Sequence, residues 1–244
     1  MSDSLCLQPR DSLAVTMIGL GGVGGIAARH LAVFLAALEC PTRLVLVDGD
    51  RFEPHNRTRM VFRREGNKAE VVRDELRERH AESGLAVLAV PEYVGSANVA
   101  RLIEKGDHVV LAVDNHATRK LVSDRCAALA DAVLVSGGND GVGPDRHGKY
   151  RRGTYGNVQV FVRRGGRDQT PSLCRWHPEI AEPADTVPGP DVGCLAAATS
   201  EPQLLFANMQ VACSLCSTLF LHLCGNLPYA EVTFDIATGR MRPL

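Results

Sequence analysis

The feature that most constrains the fold of this chain is a glycine-rich turn between two apolar segments. The run GLGGVG occupies residues 19–24, follows the apolar run 13–18 and opens an Ala- and Leu-rich segment of helical composition, residues 23–38. Glycines let a backbone approach phosphate groups, and the first turn of a helix presents free N–H groups to them. This order predicts a nucleotide-binding α/β unit. The expected phosphate contacts are Gly19, Gly21, Gly22 and Gly24.

The first half of the chain alternates between short apolar runs and helical segments. Buried strands that alternate with helices form parallel sheets with crossover connections. We therefore expect an α/β fold with a Rossmann-like, mostly parallel sheet and flanking helices. The predicted strands are residues 13–18, 43–47, 85–90, 108–113 and 132–136, and the predicted helices are residues 23–38, 67–83, 97–105 and 117–130.

The pattern changes after Gly137. Residues 137–153 and the proline-rich residues 165–191 look like loops, and long loops in compact domains are usually functional or disordered. Between and after them we expect an antiparallel C-terminal extension of the sheet, which ends in a hairpin. Its predicted elements are a strand at 156–164, an apolar helix at 202–223 and strands at 230–236 and 240–242.

Charge and composition argue against several classes of partner. A formal net charge of -1 over 244 residues gives no global electrostatic reason to bind nucleic acid or an anionic membrane. We find no signal peptide and no apolar stretch of the ~20 residues that a spanning helix needs. We expect a cytoplasmic protein without a nucleic-acid or membrane partner, and eight reduced cysteines.

The residues after the second predicted strand decide between two kinds of nucleotide chemistry. Asp48 ends that strand, where a carboxylate can bind ribose hydroxyls, and with the glycines alone it would favour an NAD-dependent oxidoreductase. Joining a carboxylate to the α-phosphorus of ATP instead requires cations and Mg²⁺ that neutralise the developing charge. Arg59 and Lys68 suit that role as a forked donor and a point charge. Asp114, just past a strand end, offers the carboxylate oxygens that Mg²⁺ prefers.

Several motifs in residues 15–139 resemble the ThiF/MoeB/ubiquitin-activating family, in the order in which that family has them. They are GLGGVG at 19–24, DGD at 48–50, NRTR at 56–59, GNKA at 66–69 and DN at 114–115. The resemblance implies a single adenylation domain over residues 1–244. Its nucleotide-binding half would be residues 1–140, and its partner-binding half, residues 141–244, would hold the long loop 165–191 and the C-terminal hairpin.

The resemblance also implies an activity and a set of site residues. Family members use ATP with Mg²⁺ to adenylate the C-terminal glycine of a ubiquitin-like or sulfur-carrier protein of the β-grasp fold, and they usually work as homodimers. Asp48 would bind ribose and Asp114 would hold Mg²⁺. The other implied nucleotide-binding residues are Asp50, Asn56, Arg59, Lys68 and Asn115.

The second half is similar to a narrower group, the ThiF-like proteins of bacterial PRTRC gene systems. The similarity lies in PDVGC at 190–194, residues 203–208 and TGRMRP at 238–243. Three features depart from the wider family. Met60 stands where the family usually has Gln, Arg10 is the candidate for an arginine that reaches across a dimer, and one Cys-x-x-Cys pair at 213–216 stands where many relatives use two to bind zinc.

Two cysteines are candidate acceptors of an acyl group. Cys174 lies beside Arg175 and near His177, whose charges would favour a thiolate, and Cys194 lies in the PDVGC run. A loop or packing role is the alternative for both. Cys213 and Cys216 fall in an apolar helical run and are expected in the core.

Several hypotheses about function remain open at this stage. The first is adenylation of a protein C-terminus, with or without transfer of the acyl group to a cysteine. The second is a catalytically silent scaffold that binds nucleotide, which Met60 and the short N-terminal segment favour. The third is an NAD-dependent oxidoreductase, and a small-molecule carboxylate is a further possible substrate for adenylation.

Overall fold

The computed structural model describes residues 5–58, 60–144, 148–189 and 203–244. The strands are β1 (Leu13–Ile18), β2 (Thr42–Val47), β3 (Arg51–Phe52), β4 (Gly66–Asn67), β5 (Leu85–Val90), β6 (His108–Leu111), β7 (Ala132–Asn139), β8 (Val142–Pro144), β9 (Tyr150–Arg152), β10 (Tyr155–Arg164), β11 (Arg167–Asp168), β12 (Glu231–Asp235) and β13 (Arg240–Pro243). The helices are α1 (Gly24–Ala36), α2 (Lys68–Arg79), α3 (Val99–Leu102), α4 (His116–Ala127), α5 (Pro178–Ala181) and α6 (Leu205–Leu223), with 3₁₀ turns at Pro54–Thr58 and Leu173–Arg175.

The main sheet combines a parallel half with an antiparallel half. Its strand order is β13-β12-β10-β7-β6-β1-β2-β5, and β11 pairs with β10. The strands β5, β2, β1, β6 and β7 are parallel, whereas β10, β12 and β13 are each antiparallel to their neighbours. The prediction of a Rossmann-like α/β sheet with an antiparallel C-terminal extension is therefore confirmed.

The strand order reverses between β1 and β6. At the end of β1, Ile18 lies opposite Val47 of β2 on one side and opposite Leu111 of β6 on the other. Connections that leave a parallel sheet in opposite directions open a crevice at the carboxyl ends of the strands, and ligands bind there. The glycine turn follows β1 and Asp114 follows β6, so both border this crevice.

Helices cover both faces of the sheet and bury two apolar clusters. One cluster joins the sheet to α1, α2 and α6, through residues such as Leu31, Leu76 and Leu215. The other joins it to α3, α4 and the segment around Leu173 and Ile180. The short apolar runs that alternate with helical segments along the sequence are thus the buried strands between two helical layers.

The helix α6 is long and apolar enough, by length and composition alone, to cross a membrane, with a mean hydropathy of 1.3. In this fold it packs on β7, β10 and α1, and it buries Val211, Leu215 and Leu219. Buried residues make up 44% of its most apolar window. Packing against the sheet accounts for the apolar face of this helix.

The predicted strands agree closely with the structure, and the main differences lie in the expected loops. The helix expected at 97–105 is a single turn, because the backbone at Ile103 is extended (φ -130, ψ 111). In the expected loop 137–153, β7 continues to Asn139, and β8 pairs with β9 as a hairpin. The long loop contains β11, a 3₁₀ turn and α5, and its last two residues lie outside the described ranges.

Candidate active site

The glycine turn is packed tightly at Gly19, Gly22 and Gly24 and is open at Gly21. Gly19 has a positive φ of 85°, which L-residues other than glycine rarely adopt, and a Cβ there would lie 2.8 Å from the carbonyl oxygen of Ala112. A Cβ on Gly24 would lie 1.8 Å from the carbonyl oxygen of Gly19. For Gly21 the nearest contact is Met60 Cε at 3.8 Å. The turn therefore fits against the end of β6 while Gly21 is open to a ligand.

Asp48 fastens the glycine turn to the end of β2. Its Oδ2 accepts a hydrogen bond from the backbone N–H of Leu20 at 2.6 Å, and its Oδ1 accepts one from the backbone N–H of Asp50 at 2.8 Å. Burial raises the pKa of this carboxyl group, although nearby Lys68 acts to lower it. Asp48 thus has a structural part in addition to the predicted ribose contact.

Lys68 brings a buried positive charge to the same edge. It is the first residue of α2, and its Nζ lies 2.9 Å from Oδ2 of Asp50. The hydroxyl of Tyr93 donates to the other oxygen of Asp50. Burial acts to lower the pKa of Lys68, but the carboxylates of Asp48 and Asp50 outweigh it and raise this pKa above its usual value. Lys68 is therefore a fixed ammonium cation at neutral pH.

Asp114 faces the crevice from the β6 side. It is exposed, and its carboxylate makes no hydrogen bond with any residue of the described ranges. It is close enough to Lys68 to act in raising the pKa of that residue. The structure thus places Asp114 near enough to Lys68 to act on its charge, and the oxygens of Asp114 make no hydrogen bond within the described ranges. That both residues bind one nucleotide stays a prediction.

Arg119 supports the backbone that carries Asp114. This buried guanidinium donates to the carbonyl oxygens of Val113 at 2.6 Å and Gly137 at 2.9 Å, and to Oγ of Ser136 at 2.7 Å. Burial lowers the pKa of Arg119 to about 10. Its donors are engaged by the strand ends, so it buttresses the loop between β6 and α4.

Two predicted nucleotide contacts are engaged in local capping. Oδ1 of Asn115 accepts from the backbone N–H of Thr118 at 2.7 Å, and its Nδ2 donates to the carbonyl oxygen of Thr186 at 2.8 Å. Oδ1 of Asn56 accepts from the backbone N–H of Glu53 at 2.9 Å. If either residue contacts a ligand, it does so while it keeps these hydrogen bonds.

The amino end of α4 is occupied by a residue that sequence analysis did not single out. Asp185 accepts hydrogen bonds from the backbone N–H groups of His116 at 2.9 Å and Ala117 at 2.7 Å. A carboxylate there satisfies the free donors of the first turn and interacts favourably with the helix dipole. The segment after α5 is thereby held next to Asp114.

The argument that made Cys174 an activated thiol is wrong. Burial raises the pKa of its thiol, Asp124 raises it further, and neither Arg175 nor His177 is among the groups that shift it. The thiol lies beside α4, where Lys120 and Ser123 act to lower its pKa but do not outweigh burial and Asp124. Arg59 and Cys194, like the whole PDVGC run at 190–194, lie outside the described ranges.

The Cys-x-x-Cys pair of α6 is split between two environments. Cys213 is exposed, contrary to the expected core position, and Cys216 is partly buried with its Sγ 3.9 Å from the carbonyl oxygen of Ala27. In the described part of the chain, no three His, Cys, Asp or Glu side chains are grouped so that they could hold a metal ion.

A second cleft, of about 550 Å³, lies against the antiparallel half of the sheet and is lined partly by Tyr155 and Trp176. At its base, Nε2 of His177 lies 3.1 Å from both carboxylate oxygens of buried Glu231, and its Nδ1 lies 2.8 Å from Glu179. The hydrogen bond with Glu231 raises the pKa of His177. This ion pair ties the long loop to β12.

Comparison with known proteins gives matches in sequence over much of the chain. The ThiF family matches residues 6–239. The chain is 34% identical over 128 residues to "Adenylyltransferase and sulfurtransferase MOCS3-1" of Zea mays and 35% identical over 130 residues to "Adenylyltransferase and sulfurtransferase MOCS3" of Drosophila ananassae. Each match covers 51% of this chain but only 26% and 27% of those relatives. The chain thus matches about a quarter of their length.

Solved structures match the fold over nearly the whole chain. Crystal structures of E. coli MccB with MccA-N7isoASN and with ATP give TM-scores of 0.67 and 0.66 at 16% identity, and they cover 95% of this chain and 64% and 62% of MccB. PaaA gives a TM-score of 0.65 at 16% identity, over 95% of this chain and 72% of PaaA. At these identities the likeness establishes the fold.

Proposed function

Since this chain belongs to the ThiF family, we propose that it uses ATP to adenylate the C-terminal carboxylate of a small protein partner. The observation that carries the proposal is that the glycine turn and Asp114 follow β1 and β6 at the crevice where the strand order reverses, with the cation of Lys68 near enough for Asp114 to act on its pKa. A fixed cation and an available carboxylate at this place serve phosphoryl chemistry. Hydride transfer would use neither.

The residues present fit ATP and Mg²⁺. The glycine turn is open at Gly21, and it leads into the amino end of α1, where the helix dipole is positive. Asp114 supplies carboxylate oxygens, the ligand type that Mg²⁺ prefers. We place the triphosphate on residues 19–24 and Lys68, the ribose at Asp48 and Mg²⁺ at Asp114. When bound, Mg²⁺ would neutralise charge on the phosphate oxygens.

The chain contributes positioning and charge to the reaction. A carboxylate oxygen of the partner bonds to the α-phosphorus while the bond from that phosphorus to its bridging oxygen breaks and pyrophosphate leaves. This step transfers no proton, so it depends on charge neutralisation and alignment. Lys68, held by Asp50, supplies a positive charge that does not have to reorganise. We propose Arg59, from the motif at residues 56–59, as a second cation. Arg119 fixes the backbone that presents Asp114.

We propose a ubiquitin-like or sulfur-carrier protein of the β-grasp fold as the partner. Two curated relatives are named adenylyltransferase and sulfurtransferase, and residues 190–194 carry the similarity to PRTRC-type proteins. If the acyl group then passes to a cysteine, Cys194 is the proposed acceptor. The raised pKa of Cys174 leaves little thiolate on that residue at neutral pH.

We also propose that the chain works as a homodimer in the cytoplasm. The start of α6 exposes three large apolar side chains, Leu205, Phe206 and Met209, and Phe206 is 72% exposed. Apolar groups clustered on one exposed helix face favour burial against another chain. Arg10, the candidate for a cross-dimer arginine, donates to the carbonyl oxygen of Leu223 of its own chain at 2.9 Å.

The test is exchange of radioactive pyrophosphate into ATP, measured with a β-grasp partner that ends in glycine. Asp114→Ala should slow the exchange, because the variant should lose about 3–4 kcal/mol of transition-state stabilisation, the usual cost of losing a group that stabilises charge. The control is Asp124→Ala, which removes an exposed carboxylate paired with Lys120 and should leave exchange unchanged. Exchange by Asp114→Ala at the wild-type rate would refute the assignment.

Thermal stabilisation separates the remaining hypotheses. MgATP should raise the unfolding temperature and NADH should not. Stabilisation by NADH alone would favour the oxidoreductase. Stabilisation by MgATP without pyrophosphate exchange, with any candidate partner, would favour the silent scaffold.

A further inference from the structure

The amino end of α6 brings two carboxamide side chains against the glycine turn. A Cβ atom on Gly22 would lie 2.3 Å from Nδ2 of Asn208 and 3.5 Å from Oε1 of Gln203. The amide of Asn208 therefore occupies the space that a side chain at residue 22 would need. It reaches the turn on which the proposed function places the triphosphate.

Asn208 is completely buried, and neither Nδ2 nor Oδ1 has a hydrogen-bond partner among the described residues. A carboxamide offers two N–H donors and two acceptor lone pairs. A buried amide left unpaired is costly, and folded proteins pair nearly all such groups with protein, water or ligand. The position therefore points to a polar partner other than the side chains described.

A second unpaired amide atom lies at the same end of the core. Oδ1 of Asn139, the last residue of β7, is buried without a partner in the described part of the chain. A Cβ on Gly137, two residues earlier, would lie 2.9 Å from both Val211 and Leu215 of α6. Because side chains alternate along a strand, Asn139 faces the same helix. The polar ends of β7 and α6 thus converge near the glycine turn.

Packing alone does not explain an asparagine at this position. The neighbouring buried residues of the helix face are Ala207, Val211, Ala212 and Leu215, all apolar. A leucine at residue 208 would fill a similar volume without burying a polar group, and replacing an unpaired amide by an apolar group of similar shape is near neutral or stabilising. The amide is therefore best explained by binding.

We propose that Asn208 is a phosphate contact of the nucleotide site, with its Nδ2–H group donating a hydrogen bond to a phosphate oxygen of ATP. The proposal rests on the ATP site proposed above. Phosphate oxygens accept hydrogen bonds and donate none at neutral pH, so an N–H donor beside Gly22 suits them. Since Asn208 is buried, a phosphate reaches its amide only if a neighbouring side chain moves, and we assign that movement to Gln203, which is partly exposed beside the same glycine.

The experiment compares the affinities of wild type and Asn208→Leu for MgATP and for adenosine by isothermal titration calorimetry. The Kd for MgATP should rise at least about tenfold, since a hydrogen bond to a charged group is lost. Affinity for adenosine, which has no phosphate, should stay within about twofold of wild type. The unfolding temperature without nucleotide should not fall, because the buried amide has no partner in the described chain to lose.

Ser214→Ala is the matched control, because Ser214 is a buried polar residue farther along the same helix. Its affinity for MgATP should equal that of wild type. Asn208→Ala, which makes no steric demand, gives the same comparison if Asn208→Leu does not fold.

Three results would overturn the proposal. One is an affinity of the Asn208 variants for MgATP that matches wild type. Another is an equal loss of affinity for MgATP and adenosine, which would make Asn208 a structural support of the whole site. The third is a wild-type protein that binds no MgATP, which would refute both the proposed function and the Asn208 contact. If wild type binds MgATP and the variants bind it equally well, only the Asn208 contact is refuted.

Discussion

The backbone N–H of Leu20 donates to Oδ2 of Asp48 at 2.6 Å, across 28 residues of sequence. This bond joins the glycine turn to the end of the neighbouring strand, and Oδ1 of the same carboxylate accepts the N–H of Asp50. One side chain therefore sets the spacing between the turn and the residues that hold Lys68. The geometry of the site depends on this carboxylate before any ligand binds.

Asp48→Asn should weaken both the fold and the site. A carboxamide has a single oxygen, so it can replace only one of the two acceptors and turns an N–H group toward a backbone N–H. We expect a loss of about 1–3 kcal/mol in the free energy of unfolding, measured by urea denaturation, together with weaker MgATP binding. Unchanged stability would show that the two backbone bonds contribute little.

Alanine substitutions should separate the two functions of the glycine turn. Gly24→Ala places a Cβ 1.8 Å from the carbonyl oxygen of Gly19, so it should lower the free energy of unfolding by at least about 2 kcal/mol. Gly21→Ala meets only Met60 Cε at 3.8 Å, so stability should change by less than about 0.5 kcal/mol while affinity for MgATP falls. Calorimetry and denaturation on both variants give the comparison, and a Gly21→Ala variant that binds MgATP normally would contradict it.

Lys68→Met should cost stability as well as activity. The change leaves Asp48 and Asp50 close together without their cation, and we expect a loss of about 1–3 kcal/mol in the free energy of unfolding because Asp50 keeps part of its hydration. Pyrophosphate exchange should fall more steeply than stability. Lys120→Met breaks an exposed ion pair with Asp124 and is the control, with an expected cost under about 1 kcal/mol and no loss of exchange.

The ion pair of His177 and Glu231 predicts a pH dependence of stability. The pKa of His177 is raised, so its contribution is complete below the ordinary histidine pKa of 6.5 and is lost as pH rises through the raised value. Burial acts to raise the pKa of Glu231, but the hydrogen bonds from His177 and Asn157 and the charge of His177 together lower it, so its contribution is lost only in more acid solution. His177→Gln should therefore destabilise the protein more near pH 5.5 than at about pH 8.5, as measured by urea unfolding. An equal effect at both pH values would mean that the imidazole acts through packing.

The parts of the fold that the sequence predicts are those governed by local pattern. The bounds of β1 and β5 follow directly from apolar runs of strand length, and the glycine turn follows from its place between a strand and a helix. The capping of α4 by Asn115 was also readable, because its side chain bonds to the backbone of the third residue after it. That asparagine is a predicted nucleotide contact, and in the structure it caps the helix.

The remaining features depend on contacts between distant segments. Asp185 meets the first turn of α4 only because the long loop folds back over it, and a separation of 69 residues leaves no local signal. The prediction of an activated thiol at Cys174 is wrong for the same reason. Its neighbours in sequence do not shift its pKa, whereas Asp124 of α4 raises that pKa. In the sequence, Asn208 is one polar residue in an apolar helical run, and only the tertiary structure shows that it packs against Gly22.

The carboxylate of Asp185 on the first turn of α4 makes the two walls of the crevice electrostatically different. That helix end is already neutralised, so it offers no positive pole to a triphosphate, while the amino end of α1 and the ammonium of Lys68 lie on the other side. One wall therefore attracts anions and the wall with Asp114 attracts cations. A ligand that carries negative charge at one end and a bound metal ion beside it fits in a single orientation, and a reversed ligand would meet like charges along both walls.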